Sequence, residues 1–134
     1  MNDLSKDLLD KIKNLYEQKK FSKLETTIEN IKNFEGLPTN LQMIYAVSKA
    51  LNPKSKIQDY KKSAFFFEKI FLSDQTNLEP LYNFIIVSLR ANMHLRLNNL
   101  LEEVYKKHET DLKILEGLSK ANFFLGNMVR ATSY

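Results

Sequence analysis

Tyr60 to Leu72 reads YKKSAFFFEKIFL, and the placing of its apolar residues decides the fold class. Tyr60, Ala64, Phe67, Ile70 and Phe71 recur at helical spacing and fall on one face. Phe65 and Phe66 fall on neighbouring faces, so the apolar surface extends well past a single stripe. A helix of this kind needs cover on two sides.

The remaining sequence supplies further helices as cover. The 134 residues suit one domain, 1–134, and they include only three Gly and three Pro. That leaves little material for the turns of a β-sandwich or barrel, and an all-α fold follows. No cysteine is present, which excludes a disulfide framework or a thiolate metal site. Asp3, Asp7 and Asp10 interrupt the first twenty residues, so no secretory signal is read there. The longest apolar run, Leu81 to Leu89, is broken by Asn83 and Ser88 and falls short of the roughly 20 residues needed to span a bilayer. A cytoplasmic protein without membrane insertion is expected. The net charge of +4 rests on seventeen Lys and three Arg. Arg is the residue that makes planar, bidentate contacts to phosphate and guanine, so nucleic acid is a disfavoured partner and solvated helix faces account for the lysines.

In chain order the pattern predicts eight helices. Leu8, Ile12 and Leu15 share a face from Ser5 to about Gln18. Ser22 and Glu25 have capping-box spacing before Leu24, Ile28 and Ile31, a helix ending near Gly36. Thr39 and Gln42 repeat the signature ahead of Leu41, Ile44, Tyr45, Ser48 and Leu51, with a stop at Asn52 and Pro53. Ser55 and Gln58 repeat it once more and start the aromatic helix at Lys56. Thr76 or Asn77 caps the densely apolar fifth helix, with Pro80 in its first turn. Asn92 marks a turn into a sixth helix with Leu97, Leu100, Leu101, Val104 and Tyr105. Thr110 or Asp111 caps a seventh, and Gly126-Asn127 turns the chain into an eighth from Met128 to Tyr134.

These helices fall into pairs with a repeating register. Aligned on the turn into each second helix, Phe21, Tyr60, His94 and Met128 are in step, and the same steps relate Leu24, Ser63, Leu97 and Ala131, then Ile28, Phe67 and Leu101, and then Ile31, Ile70 and Val104. Leu81, Phe84, Ile85 and Ser88 match Leu115, Leu118, Ser119 and Asn122 at the step that separates Ser63 from Leu97. The last unit places Leu115, Leu118, Ser119, Gly126, Met128 and Ala131 in a pattern of apolar, small, turn and small residues. A period of about 34 residues with two helices per unit is the tetratricopeptide spacing. The step from Ser63 to Leu97 meets it, and the step from Leu24 to Ser63 is five longer. On these positions the chain resembles the tetratricopeptide repeat (TPR) family over nearly its whole length. HEAT-like pairs and the RNA-binding pentatricopeptide repeats have comparable organisation. Small residues at the helix contacts comply at Ser63, Ser119 and Ala131 and depart at Leu24, Leu97 and Ile85, and the usual closing proline is replaced by Gly36, Gln75 and Glu109. The resemblance implies a right-handed α-solenoid of antiparallel helix pairs, about three and a half repeats. It further implies a chain continuing past Tyr134, where the last unit is incomplete.

The sequence offers little chemistry. His94 and His108 are the only histidines, at opposite ends of one helix and roughly 20 Å apart, too far to share a metal or a proton. Glu102-Glu103 point about 100° apart, and Glu25 with Glu29 lie on what reads as a solvated face near lysines. No phosphate loop, nucleophile motif or metal-ligand set occurs, so neither an enzyme nor a cofactor is expected. The pairs Lys19-Lys20, Lys61-Lys62 and Lys106-Lys107 recur near helix ends and read as solubilising charge, with an acidic-peptide groove as the alternative. By the resemblance, first helices line the concave face, which nominates Tyr45, Tyr82, Asn83, Arg90 and Asn122 for binding a protein or peptide segment. The alternative is the amino-terminal repeat arm of a bacterial transferase, sulfotransferase- or glycosyltransferase-like, with a catalytic domain in cis beyond Tyr134.

Overall fold

The computed structural model describes residues 5–31 and 36–133, with side chains through Gly126. Among these residues it is all-helical, with seven helices and no strand. They are α1 (Lys6–Glu17), α2 (Phe21–Glu29), α3 (Thr39–Leu51), α4 (Ile57–Ser73), α5 (Glu79–Arg90), α6 (His94–Tyr105) and α7 (Leu112–Ser133). The second helix ends at Glu29, with Asn30 as its C-cap, and so stops short of the end near Gly36 expected from the sequence.

Consecutive helices pack on one another, and α3 also touches α5, as α5 touches α7. Tyr45 meets Phe66, Ala46 meets Ser63 and Lys49 meets Asp59, so α3 and α4 run antiparallel. Ile85 and Tyr82 of α5 face Gly117 and Lys113 of α7 in the same order, so alternate helices run parallel. The first helices begin at Lys6, Thr39, Glu79 and Leu112. The step from Lys6 to Thr39 recurs from Glu79 to Leu112, and the middle step is longer. Burial meets the second-helix register in three rows, Leu24, Ser63 and Leu97, then Ile28, Phe67 and Leu101, then Ile31, Ile70 and Val104. In the row at the turn His94 is buried but Phe21 and Tyr60 are only half-buried, and the side chains of Met128 and Ala131 lie outside the described ones.

Two hydrophobic clusters result. Ile12, Leu24, Ile28, Ile31, Leu37, Leu41 and Tyr45 form the amino-terminal one. The larger extends from Ala46 through Phe67, Phe71, Leu81, Phe84, Leu97 and Leu101 to Ile114 and Ala121. Phe66 packs against both, so the aromatic helix α4 joins them. Phe67 and Phe71 are fully buried, while the exposed Phe65 lies beneath the Arg96 guanidinium of α6, 4.8 Å from the ring centroid. That guanidinium also grips Glu68 of α4, its Nε 3.1 Å from both carboxylate oxygens.

Helix starts follow the sequence reading at α1, α5 and α7 and depart from it at α2, α3 and α4. Ser5 caps α1, its Oγ accepting the Leu8 amide at 3.1 Å. Asp111 does the same for α7 through the Ile114 amide, and Asn77 accepts the Glu79 amide beside Pro80. Ser22, Thr39 and Ser55, however, do not cap their helices. The N-cap positions are Lys20, Pro38 and Lys56. Two of the three polar side chains are drawn into contacts elsewhere: Ser22 Oγ donates to Asn52, and Ser55 Oγ donates to the Lys49 carbonyl. At α4, Asp59 in place of Gln58 accepts the Lys56 amide.

The turn expected at Gly126-Asn127 is absent: α7 continues unbroken to Ser133, so no separate eighth helix opens at Met128. The other tight joints explain why. Lys19 and Asn92 adopt left-handed φ of 56° and 59°, and at each the following amide returns to a carbonyl five residues back, Lys20 to Leu15 and Met93 to Ser88. The step from Glu79 to Leu112, carried on from Asn92, assigns that left-handed position to Leu125, and glycine arrives one residue late. A leucine strongly disfavours the left-handed region, whereas helix costs it nothing. Tyr134 lies outside the described residues.

Candidate functional site

The five nominated residues part company in the structure. Tyr45 is fully buried and cannot meet a ligand through its ring. With the helix starts aligned, it occupies the inward position shared with Ile12 and Ile85. Its hydroxyl donates to Glu29 at 2.5 Å, and desolvation, reinforced by that bond, raises its pKa far above the ordinary tyrosine value. Tyr82 is half-buried at the surface between α5 and α7. Its hydroxyl donates to Asp111, which raises the tyrosine pKa and lowers that of the carboxyl. Asn83 is half-buried beside it. Arg90 is exposed and turns toward α3 and α4, donating to the Ala50 carbonyl at 3.3 Å with its guanidinium carbon 5.8 Å from the Tyr60 ring centroid. Asn122 is exposed on α7.

What gathers around Tyr82 is a groove of about 250 Å3 between α5 and α7. Ile85, Leu89 and Gly117 line it together with Ile86, and Lys113, Glu116 and Lys120 supply its polar wall. Gly117 permits the close approach of the helices: a Cβ there would stand 2.8 Å from Leu101 Cδ1 and 3.1 Å from Ile85 Cγ2. Gly117 and Ala121 are buried where Ser119 and Asn122 are exposed. The first-helix match is therefore one position shorter than the sequence register, pairing Leu81, Phe84 and Ser88 with Ile114, Gly117 and Ala121. Ser119 is not the small residue at the contact. Ile86 is 50% exposed, an apolar side chain on the open side of α5. The sequence reading does not pick out Ile86, Leu89, Lys113 or Lys120. The available signal is Ile86 itself, which falls off the buried stripe of Leu81, Phe84, Ile85 and Ser88.

A second polar cluster lies at the joint of α2, α3 and α4. Lys49 has a side chain only 6% exposed and is 3.3 Å from Glu25, 3.8 Å from Glu29 and 3.4 Å from Asp59. Asn52 also donates to Glu25, at 3.2 Å. Glu25 therefore faces a buried cation instead of solvent, while Glu29 reaches the same cation from the solvated rim. The backbone amide of Lys56, with help from Lys49, holds the Asp59 carboxyl below its ordinary range. Every carboxylate here has an internal partner, so the cluster ties α2, α3 and α4 together.

No protein family, curated protein or solved structure matches this chain. Among the described residues, no group of three or more His, Asp or Glu is placed to hold a metal ion. Among them, too, no helix is long and apolar enough to cross a membrane. His94 is buried at the start of α6 and stacks on Phe124 of α7, the centroids 4.4 Å apart, and burial lowers its pKa. His108 sits beyond the far end of α6.

Proposed function

We propose that this chain is a non-enzymatic scaffold that seats a segment of a partner polypeptide on the surface formed by α3, α5 and α7. In this reading the helix pairs stack as a right-handed solenoid similar to TPR arrays. The parallel burial of Leu24, Ser63 and Leu97 and of the two rows that follow them supports a repeating unit. The left-handed joints at Lys19 and Asn92 support it as well, since they recur at the same place in two pairs. The observation that carries the binding surface is Ile86, half exposed at the edge of a preformed groove. An apolar residue on the outward face of a rigid helix beside a cleft is what a docking segment uses to bury area without reorganising the protein.

A display library of random peptides, panned against the folded chain and against Ile86→Asp, tests this. Peptides that saturate the native protein and lose binding to the variant are expected. A library that yields none, or peptides indifferent to Ile86→Asp with circular dichroism unchanged, would refute the assignment of this surface.

A further inference from the structure

Three helix joints share one edge of the molecule. Ser22, just past the α1–α2 joint, donates to Asn52 in the α3–α4 joint at 3.3 Å. Arg90, just before the α5–α6 joint, donates to the Ala50 carbonyl and lies over the Tyr60 ring, so the third joint stands beside the second. These joints, residues 17–23, 52–57 and 90–94, hold five lysines and one arginine against a single carboxylate, Glu17. Lys19, Lys20, Lys23, Lys54 and Lys56 are all exposed, and among the described residues none of them pairs with a carboxylate. Glu25 and Asp59, close by in sequence, turn to Lys49 instead. Lys19, Lys20, Lys23 and Pro53 line a cleft of about 340 Å3 between the first two joints. The opposite edge differs. There the α4–α5 joint, 74–78, carries Asp74 and no lysine, and the α6–α7 joint, 106–111, balances Lys106 and Lys107 with Glu109 and Asp111.

Aliphatic side chains stand exposed among these lysines. Leu51 closes α3 and is 53% exposed, Ile57 opens α4 and is 46% exposed, and Pro53 between them is exposed too. Solubilising charge gives no reason for them, and a phosphodiester backbone would leave them idle. An anionic bilayer engages both kinds of group: the ammonium groups meet lipid headgroups, while the lysine stems and the aliphatic side chains enter the boundary beneath. We infer that this edge docks on the surface of an anionic phospholipid bilayer, without crossing it. Lys19, Lys20, Lys23, Lys54 and Lys56 meet the headgroups, and Leu51 and Ile57 reach the acyl boundary below them. None of these residues lines the α5–α7 groove, so the inference stands or falls separately from the scaffold reading.

The test is flotation of the whole chain with vesicles of phosphatidylcholine alone, or of phosphatidylcholine and phosphatidylserine in equal parts. Binding to the mixed vesicles and not to the neutral ones, weakened by added salt, is expected. A lysine near an anionic surface contributes about fivefold in affinity, so Lys19→Gln with Lys20→Gln should weaken binding about 25-fold. Leu51→Ser and Ile57→Ser should each weaken it about fivefold, because a half-exposed side chain has about half of its apolar transfer left to gain. Lys106→Gln with Lys107→Gln, at the opposite edge, should leave binding unchanged. All of these positions are exposed, so each variant should keep the native circular dichroism. Failure to float with the mixed vesicles overturns the inference. So does equal weakening by the Lys106 and Lys107 variant, which would reduce the attraction to net charge. Binding that is indifferent to Leu51→Ser and Ile57→Ser, and that single-stranded RNA or polyglutamate displaces, would assign the lysines to a soluble polyanion and overturn it as well.

Discussion

Replacing Lys49 by methionine removes the cation from the joint of α2, α3 and α4 while keeping a side chain of similar length. Glu25, with a side chain only 13% exposed, loses its principal partner and retains the Asn52 amide. Breaking a buried ion pair by deleting one member costs about 3–5 kcal/mol, and the remaining Asn52 bond places this case near about 3. Glu29 and Asp59 are 42% and 37% exposed, so water screens them and each adds at most about 1 kcal/mol. Lys49→Met should therefore destabilise by about 3–5 kcal/mol in urea unfolding followed by far-ultraviolet circular dichroism. Adding Glu25→Gln leaves no isolated buried charge, and the double variant should recover about 2 kcal/mol of that loss. A loss below about 1 kcal/mol for Lys49→Met, or no recovery in the double variant, would show that the pair carries no coupling and that the joint is held by apolar packing alone.

Three further outcomes follow from the packing. Phe67→Ala should cost about 3–5 kcal/mol in the same assay, because the ring is fully buried in the larger cluster. The two glycines of α7 should respond with opposite signs: Gly117→Ala drives a Cβ against buried Leu101 and Ile85 and should lose about 1 kcal/mol net, overpacking exceeding the gain in helix propensity. Gly126→Ala meets nothing within 4 Å and should gain up to about 1 kcal/mol, whereas a turn at that glycine would give a loss. His94, its pKa depressed by burial, contributes stability that is full above the ordinary 6.5 and is lost as pH falls below it, since the unfolded chain takes up the proton first. Thermal scans between pH 7 and pH 5 should show a decline that His94→Gln abolishes, and an unchanged slope in the variant would remove this role.

The fold class and the second-helix register are legible because burial in a helical pair imposes an apolar period, and Leu24, Ile28 and Ile31 repeat it in α4 and α6. The register of the last first helix is misread by one residue, because Leu115 and Leu118 are apolar enough to pass for the buried set actually formed by Ile114, Gly117 and Ala121. Local signals fail where a distant partner competes for the same side chain. Ser22 and Glu25 have the spacing of a cap, yet Asn52 and Lys49, far along the chain, draw them away. Lys49 is the available clue, a charged residue on the face that carries Leu41, Tyr45 and Ser48. In so lysine-rich a chain it does not stand out. Of the candidate site, Tyr82 and Arg90 are found by their helix, Tyr45 is misplaced to the surface, and Ile86 and Lys113 require the parallel approach of α5 and α7.

The division of α3 between the two hydrophobic clusters gives the molecule a seam. Leu41 and Tyr45 belong to one side of it and Ala46 to the other, while Phe66 reaches across. Lys49 acts as the bolt, fastening α2 to α4 through carboxylates on both. A segment that opens along such a line does so as a unit. Amide protons of α1 and α2 should therefore exchange together and ahead of those of α4 and α5, and drawing the bolt with Lys49→Met should hasten the first group far more than the second.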